Sequence, residues 1–456
     1  MKKIFYLAIL TVLAATGCRK YVEIDQIGVR TPKYTSDYRA LMNNNSELEF
    51  GPGYPILSGD DTEINDATRQ NNITDIWANT YTWSAKHLSE TQGDVDWERQ
   101  YKNIYICNEV ISGVLASEGG TESVKQQIYA EALVHRAYAY QTLLNMYSRQ
   151  YNATTASSDL GVPLLLTPNL YASLNRAPVE AVYSQVIGDL KASVSKLPAL
   201  ADYNVRPAKV SAYALLARTF LNKREFSQAA LYADSALLLR NTLLDLKTYS
   251  SAPSSLPKRL SDPEILLSKN VTGSFTAIPI SSYILNLLGT NDLRYSLFTN
   301  TRGVYGSLFS TAFTGRAYWR YALNGEFLIN IGPSVPEMML IKAECLARAG
   351  NTSDALALVN NLRKKRFTDA NYSPLTSTDA SDALRIVIEE RKREFFGKGF
   401  RWLDQRRLNQ DSAFAITVSR VFKGNTFTLE PNSNRYVYPI GDKYILLNPE
   451  IEQNPR

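Results

Sequence analysis

Near its start the chain carries one long apolar run and then changes character. Ile4 to Ala15 is apolar apart from Thr11 and follows Met1-Lys2-Lys3. A basic start, a short apolar stretch and small residues read as a secretory signal over residues 1–17. The run is too short to span a bilayer core of about 30 Å. Residues 18–36 follow as a polar tether. From 37 to 96, Asn, Asp, Gly and Thr are frequent and no period persists, which predicts loops and short elements. At Trp97 a helical period sets in, with Tyr101, Ile104, Tyr105, Asn108 and Ile111 recurring at three- and four-residue steps. Gly119-Gly120 breaks it. A second helix then runs from about Glu122 to Tyr147, with Ala130, Leu133, Val134, Ala137, Tyr140 and Leu144 on one stripe. Pro178, suited to a first turn, opens another helix reaching to about Leu197.

Two later stretches share an internal spacing. Between Pro207 and Arg240, residues Tyr213, Leu216, Ala217, Phe220, Ala229, Ala233 and Ala236 fall at the offsets of a tetratricopeptide helix pair. Between Pro336 and Arg366, residues Met339, Ala343, Leu346, Ala355, Val359 and Leu362 repeat the pattern, with Gly350-Asn351 at the turn. Small residues stand where two helices must approach and large ones where they interlock. About 95 residues, 241–335, separate the copies and are rich in Ser, Thr, Gly and Tyr. A last helical block extends from Asp379 to Asn409, with Ala380, Ala383, Leu384, Val387, Ile388 and Phe395 on one stripe and breaks at Gly397 and Gly399. The pattern predicts a mostly α chain, a helical-repeat scaffold with a large loop-rich, mixed insertion.

Composition narrows the chemistry. Of 456 residues, 45% are hydrophobic and 21% charged, as in a folded globular protein. Two His and three Cys leave little for a protein-built zinc or iron–sulfur site. Cys107 and Cys345 fall in helix interiors and read as buried free thiols. Net charge is +6, and removing residues 1–17 with Lys2 and Lys3 leaves 48 basic against 44 acidic residues. That mild balance disfavours nucleic acid as a partner. Tyr (28) outnumbers Phe (16), and Tyr serves both in cores and at wet binding surfaces.

Several motifs carry a resemblance. Ala15-Thr16-Gly17-Cys18 resembles a bacterial lipobox, with Ala15 where Leu is usual, and implies lipidation of Cys18. A diacylglycerol and an amide-linked chain together would anchor the protein stably. Residues 389–407 contain Glu390-Arg391, Arg393-Glu394-Phe395, Gly399, Arg401-Trp402, Asp404 and Arg407. They are similar to the Glu-Arg-Arg-x-Glu-Phe and Glu-Gly-x-Arg-Trp-x-Asp-x-x-Arg motifs of the RagB/SusD family, with Lys398 where Glu is common. Tyr438-Pro439-Ile440, Asn448-Pro449 and Gln453-Asn454-Pro455 resemble the family's tail. Trp97 with Tyr101, Ile104 and Asn108, and the stretch from Glu131 to Tyr140, resemble its first repeat helices.

The resemblance spans the chain. It implies a superhelix of about four tetratricopeptide-like pairs in one domain over 37–456. Helical repeats would lie at about 97–240 and 336–410, and ligand-binding loop-rich parts at about 37–96 and 241–335. The implied function is non-enzymatic binding of an oligosaccharide at the cell surface and its delivery to a SusC-like TonB-dependent transporter. The implied location is the outer membrane, through the lipid anchor, and no cofactor is expected. A helical-repeat adaptor for proteins and a peptide-binding lid of the same family remain as alternatives.

Candidate residues follow from these readings. A sugar site needs flat aromatic faces for pyranose rings and polar groups for hydroxyls. Trp77, Tyr81 and Trp83 in the first loop-rich part and Tyr318 and Trp319 in the second supply the rings, although alternate aromatics also suit strands facing a core. Glu394 and Asp404 could suggest a glycosidase pair. The surrounding Arg391, Arg393, Arg401, Arg406 and Arg407 would instead hold both ionised, which suits a structural staple of Arg–carboxylate forks with Trp402 in the core. Asp60-Asp61 and Asp94-Val95-Asp96 lack a complete calcium loop and read as turn and helix-cap residues.

Overall fold

The computed structural model describes residues 31–272, 278–318, 320, 325–326 and 328–456. The expected signal segment, Cys18 and Trp319 lie outside the described residues. Local chemistry starts the helices where the sequence places them. Asp94 accepts hydrogen bonds from the N–H groups of Asp96 and Trp97 and caps a helix over Val95–Gly113. Thr121 caps the next, Glu122–Tyr147, at the predicted limits. Among the described residues, five short helices precede them: α1 (Thr35–Met42), α2 (Asn45–Leu48), α3 (Tyr54–Ser58), α4 (Ala67–Asn72) and α5 (Asp75–Tyr81). The two long helices are α6 and α7.

The scaffold continues through α8 (Val179–Val194), α9 (Lys209–Asn222) and α10 (Phe226–Leu239). The insertion carries α11 (Ser282–Leu288), α12 (Leu293–Leu297) and α13 (Arg302–Tyr305). The scaffold resumes with α14 (Val335–Arg348), α15 (Thr352–Lys364), α16 (Ala380–Phe395) and α17 (Phe400–Leu408), and α18 (Asp442–Leu447) lies near the C-terminus. Along α6 to α10, each scaffold helix packs on the next; α10 then meets α14 across the insertion, and α14 meets α15 and α16. Ala217, Ala229, Ala343 and Ala355 are fully buried, as close helix approach requires. Phe220 and Tyr232 stack across α9 and α10 at 5.5 Å.

One stripe differs from its prediction. Tyr105 is exposed, because α6 turns a second face, with Cys107 and Val110 and with Val114 just beyond its end, toward α1 and Ile128 and Ala132 of α7. Cys107 and Cys345 are both buried free thiols.

Strands are short and antiparallel. β1 (Leu160–Pro163) pairs with β2 (Arg176–Pro178), and β3 (Asn270–Thr272) pairs with β6 (Leu328–Asn330). β4 (Thr299–Asn300) pairs with β5 (Ala317–Tyr318), and β7 (Val418–Phe422) forms a hairpin with β8 (Asn425–Leu429). Lys423 and Gly424 turn that hairpin with φ of 48° and 79°, the doubly left-handed geometry of a tight two-residue turn.

Buried ion pairs fasten the insertion to the scaffold. Arg294 of α12 is fully buried and donates to Asp292, to Glu390 at 2.7 Å and to Glu394 at 2.7 Å. Arg366 donates to Glu394 and Glu264, each at 2.8 Å. Arg393 reaches Glu390 at 3.3 Å and the Leu287 carbonyl at 2.9 Å. Asp404 accepts from Arg391 and Arg407, and Arg407 forks onto Glu344 of α14. Arg401 forks onto Asp60, and the Gly397 N–H donates to Asp61 at 2.8 Å. Burial alone would raise these carboxyls. The guanidinium groups of Arg294, Arg363 and Arg393 nevertheless hold Glu390 down to about 2, and Arg391 with Arg407 holds Asp404 down to about 2. Glu394 is likewise lowered, against its burial, by Arg366 and Arg294. Trp402 is 0% exposed and stacks on Tyr436 at 4.8 Å and Tyr438 at 5.7 Å, so the tail packs on the motif tryptophan.

Two outcomes follow. Glu394→Gln leaves Arg294 and Arg366 with an uncompensated buried charge and is expected to cost about 3 kcal/mol or more in chemical denaturation; an unchanged denaturation midpoint would contradict the staple. Asp61 behaves oppositely, because burial, helped by the adjacent Asp60 charge, raises it to about 7 against the Gly397 N–H and Arg401. A carboxyl raised in the folded state contributes full stability below its unfolded value, and that contribution is lost as pH rises through about 7. The stability of the wild type relative to Asp61→Asn is therefore expected to fall between about pH 4 and pH 7, by a total on the order of 4 kcal/mol. Denaturation curves for both proteins across that range check the sign.

Candidate binding groove

Most aromatic rings singled out from the sequence are core. Tyr81, Trp83 and Tyr318 are 1%, 4% and 3% exposed, which corrects their assignment as ligand contacts. Tyr81 closes α5 and Trp83 follows it in a turn with φ of 53°, so neither sits on a strand. Both rings flank Arg420 of β7, whose guanidinium lies 4.1 Å from the Tyr81 ring and 4.0 Å from the Trp83 ring. Arg420 also donates to the carbonyls of Leu57, Ser58, Gly59 and Tyr81. The sandwich ties the hairpin to the C-terminal end of α3. Tyr318 lies edge-on to Phe396 at 5.8 Å and covers Gly397, where an added Cβ would meet its ring at 3.0 Å. Trp77 is half-buried, edge-on to Tyr54 at 5.7 Å.

The remaining candidates have structural partners. Glu394, Asp404, Arg393 and Arg401 belong to the ion-pair staple. Asp94 accepts from the Tyr54 and Tyr147 hydroxyls as well as capping α6. Asp96 accepts from the Gly53 N–H. His135 is buried with Nδ1 3.0 Å from Lys269 Nζ, a pairing that suits a neutral ring.

The two loop-rich parts meet at an open groove of about 460 Å³. One wall is the 63–67 segment. Another is the 279–285 segment entering α11, and the third is the 310–315 loop before β5. Backbone pairing fixes the first two: Ser281 N–H donates to the Asp61 carbonyl at 2.9 Å, and Glu63 N–H donates to Pro279 at 3.2 Å. The Glu63 carboxylate accepts from the Ser282 N–H at 2.9 Å. Asp66 clamps the third wall. It caps α4 through the Arg69 N–H and accepts from both the N–H and the hydroxyl of Ser310. Phe313 stacks on Phe309 at 4.1 Å and stays half-exposed in the groove. Gly315 permits this, because a Cβ there would sit 2.7 Å from the Phe313 ring.

The groove thus sets a partly exposed aromatic ring beside Asn65, Ser282, Thr314 and Glu63. That set can stack on an apolar ring face and hydrogen-bond hydroxyls. It lies between the two loop-rich parts, and none of its residues is among the rings singled out from the sequence. Phe313 has no repeating pattern around it, and only its place in the insertion pointed toward it.

Comparison with known proteins agrees with the scaffold. A SusD-like family described as starch-binding and associating with the outer membrane matches residues 54–221, and the SusD family matches residues 336–456. Among curated proteins of Formosa agariphila, the chain is 24% identical to SusD-like protein P2 over 100% of this chain and 99% of that one. It is 28% identical to SusD-like protein P38 over 28% of this chain and 26% of that protein. The fold superposes on a SusD superfamily protein of Bacteroides thetaiotaomicron with a TM-score of 0.76 and 20% identity, covering 93% of this chain and 100% of the other. A laminarin-binding SusD-like protein superposes with a TM-score of 0.68 and 17% identity, covering 93% and 99%.

Proposed function

Because the chain belongs to the SusD family, we propose that it is a non-enzymatic surface lipoprotein that takes an oligosaccharide into the 63–67, 279–285 and 310–315 groove and passes it to a SusC-like TonB-dependent transporter. The observation that carries this reading is the half-exposed Phe313 ring set among short polar side chains where both loop-rich parts converge. Such a shallow, preformed surface suits capture and release. A laminarin-binding relative on the same scaffold favours a glycan over a peptide. Trp77 is the one sequence-selected ring among the described residues with surface open to solvent, and it is assigned a ligand contact; Trp319, which lies outside the described residues, keeps the assignment as a ligand contact that its sequence context suggests.

The electrostatics of the motif carboxylates support binding without turnover. Glycoside hydrolysis needs a carboxylic acid that is protonated near neutral pH. Glu394 and Asp404 are held ionised by arginines and lie in the staple, not in the groove. Anchoring is assigned to the lipid on Cys18. Among the described residues, no helix is long and apolar enough to cross a membrane, and the matching family is described as associating with the outer membrane.

The test is calorimetric titration with laminari-oligosaccharides and a wider panel of neutral glycans. Phe313→Ala is expected to weaken binding about tenfold or more while leaving the melting temperature nearly unchanged. Tyr81→Ala is expected to lower the melting temperature instead, since its ring is core. Unchanged affinity in Phe313→Ala, or release of new reducing ends by the purified protein, would overturn the reading.

A further inference from the structure

A second concave site lies apart from the groove and shares no residue with it. Residues 149–159, the end of α17 and the 432–437 loop enclose an open cleft of about 360 Å³. Its lining is rich in amides, including Asn152, Asn409, Gln410 and Asn434. The Asn409 amide lies beside the Tyr436 hydroxyl.

Arg406 lines this cleft and is 3% exposed. One terminal nitrogen, Nη2, donates to the Ser148 carbonyl. Nε and Nη1 are buried without a hydrogen-bond partner among the described residues. Its neighbours in α16 and α17 are satisfied differently: Arg391, Arg401 and Arg407 each hold a carboxylate. Arg406 has none among the described residues, and burial pulls its pKa down to about 10. A guanidinium stays charged under all ordinary conditions, so its unmet donors call for an acceptor, best an anionic one.

The cleft also says how much negative charge it takes. Arg149 is exposed at the rim and donates to Asn434 Oδ1 at 3.4 Å. Asp159 accepts from the Thr155 hydroxyl at 2.6 Å. Two guanidinium groups against one carboxylate leave a single positive charge in the lining. The amides and Asp159 can pair with hydroxyls, and the volume suits a ligand of one or two sugar rings.

We propose that this cleft binds a small sugar bearing one anionic group, a carboxylate or a sulfate ester, seated on Arg406 with its hydroxyls on the surrounding amides. The site is independent of the neutral-glycan groove, so either can fail without the other.

Calorimetric titration of the full chain with glucuronate, glucose 6-sulfate and glucose separates the cases. One or both anions are expected to saturate, with glucose at least about tenfold weaker, and the stronger of the two identifies the anionic group. Arg406→Gln is expected to lower anion affinity about tenfold or more. Should that variant fail to fold, Arg149→Gln at the exposed rim carries the test; it is expected to lower affinity several-fold and flatten the salt dependence. Asp159→Asn is expected to keep or raise anion affinity. The proposal is overturned by absence of saturation with both anions, by equal affinity for glucose, by anion binding that Arg149→Gln leaves unchanged, or by a Glu-rich peptide that binds where neither sugar does.

Discussion

A guanidinium group cannot shed its charge when it is buried, so each buried arginine in this protein dictates where an acceptor must stand. The segment 389–407 meets that demand with carboxylates from several parts of the chain. Arg294 brings α12 onto Glu390 and Glu394, Arg401 draws in Asp60, and Arg407 reaches Glu344 on α14. Burying an ion pair is a poor source of net stability, but breaking one is costly, so such a network specifies which surfaces meet. Here it sets the insertion and the N-terminal turns against the repeat helices.

The groove inherits its shape from that constraint without touching the motif. Asp60 and Asp61 are held by Arg401 and by the Gly397 N–H, and Glu63 follows two residues later in the groove wall. Ser281 pairs with the Asp61 backbone, and Ser282 with the Glu63 side chain, so α11 starts from the same anchor. Arg294 fixes α12 immediately beyond. The motif is therefore structural in chemistry and functional in consequence. Its Glu390, Glu394 and Asp404 carboxyls are held low by arginines, which removes them from acid catalysis.

The scaffold was legible because helix periodicity and capping are local. Thr121, Asp94 and the paired alanines of α9, α10, α14 and α15 announce their elements within a few residues. The fate of single aromatics was not local. Tyr81 and Trp83 look like free rings in a loop-rich stretch, and they are buried by Arg420, which stands more than 330 residues away in sequence. Tyr105 sits on a helical stripe yet faces solvent, because α1 claims a different side of α6. Phe313 carried no signal of its own; only the folded positions of Asp66 and Gly315 make it a platform. Arg406 stood in a run of charged residues, and nothing in that run distinguished it from its carboxylate-paired neighbours.

On the proposed function, ligand meets the loop-rich half and the helical half is scaffold. Hydrogen exchange of the full chain, with and without a saturating neutral oligosaccharide identified by titration, separates the two halves. Added protection is expected at 63–67, 279–285 and 310–315, with the helices from 179 to 239 unchanged. Protection confined to those helices, with the three groove segments unaffected, would contradict it.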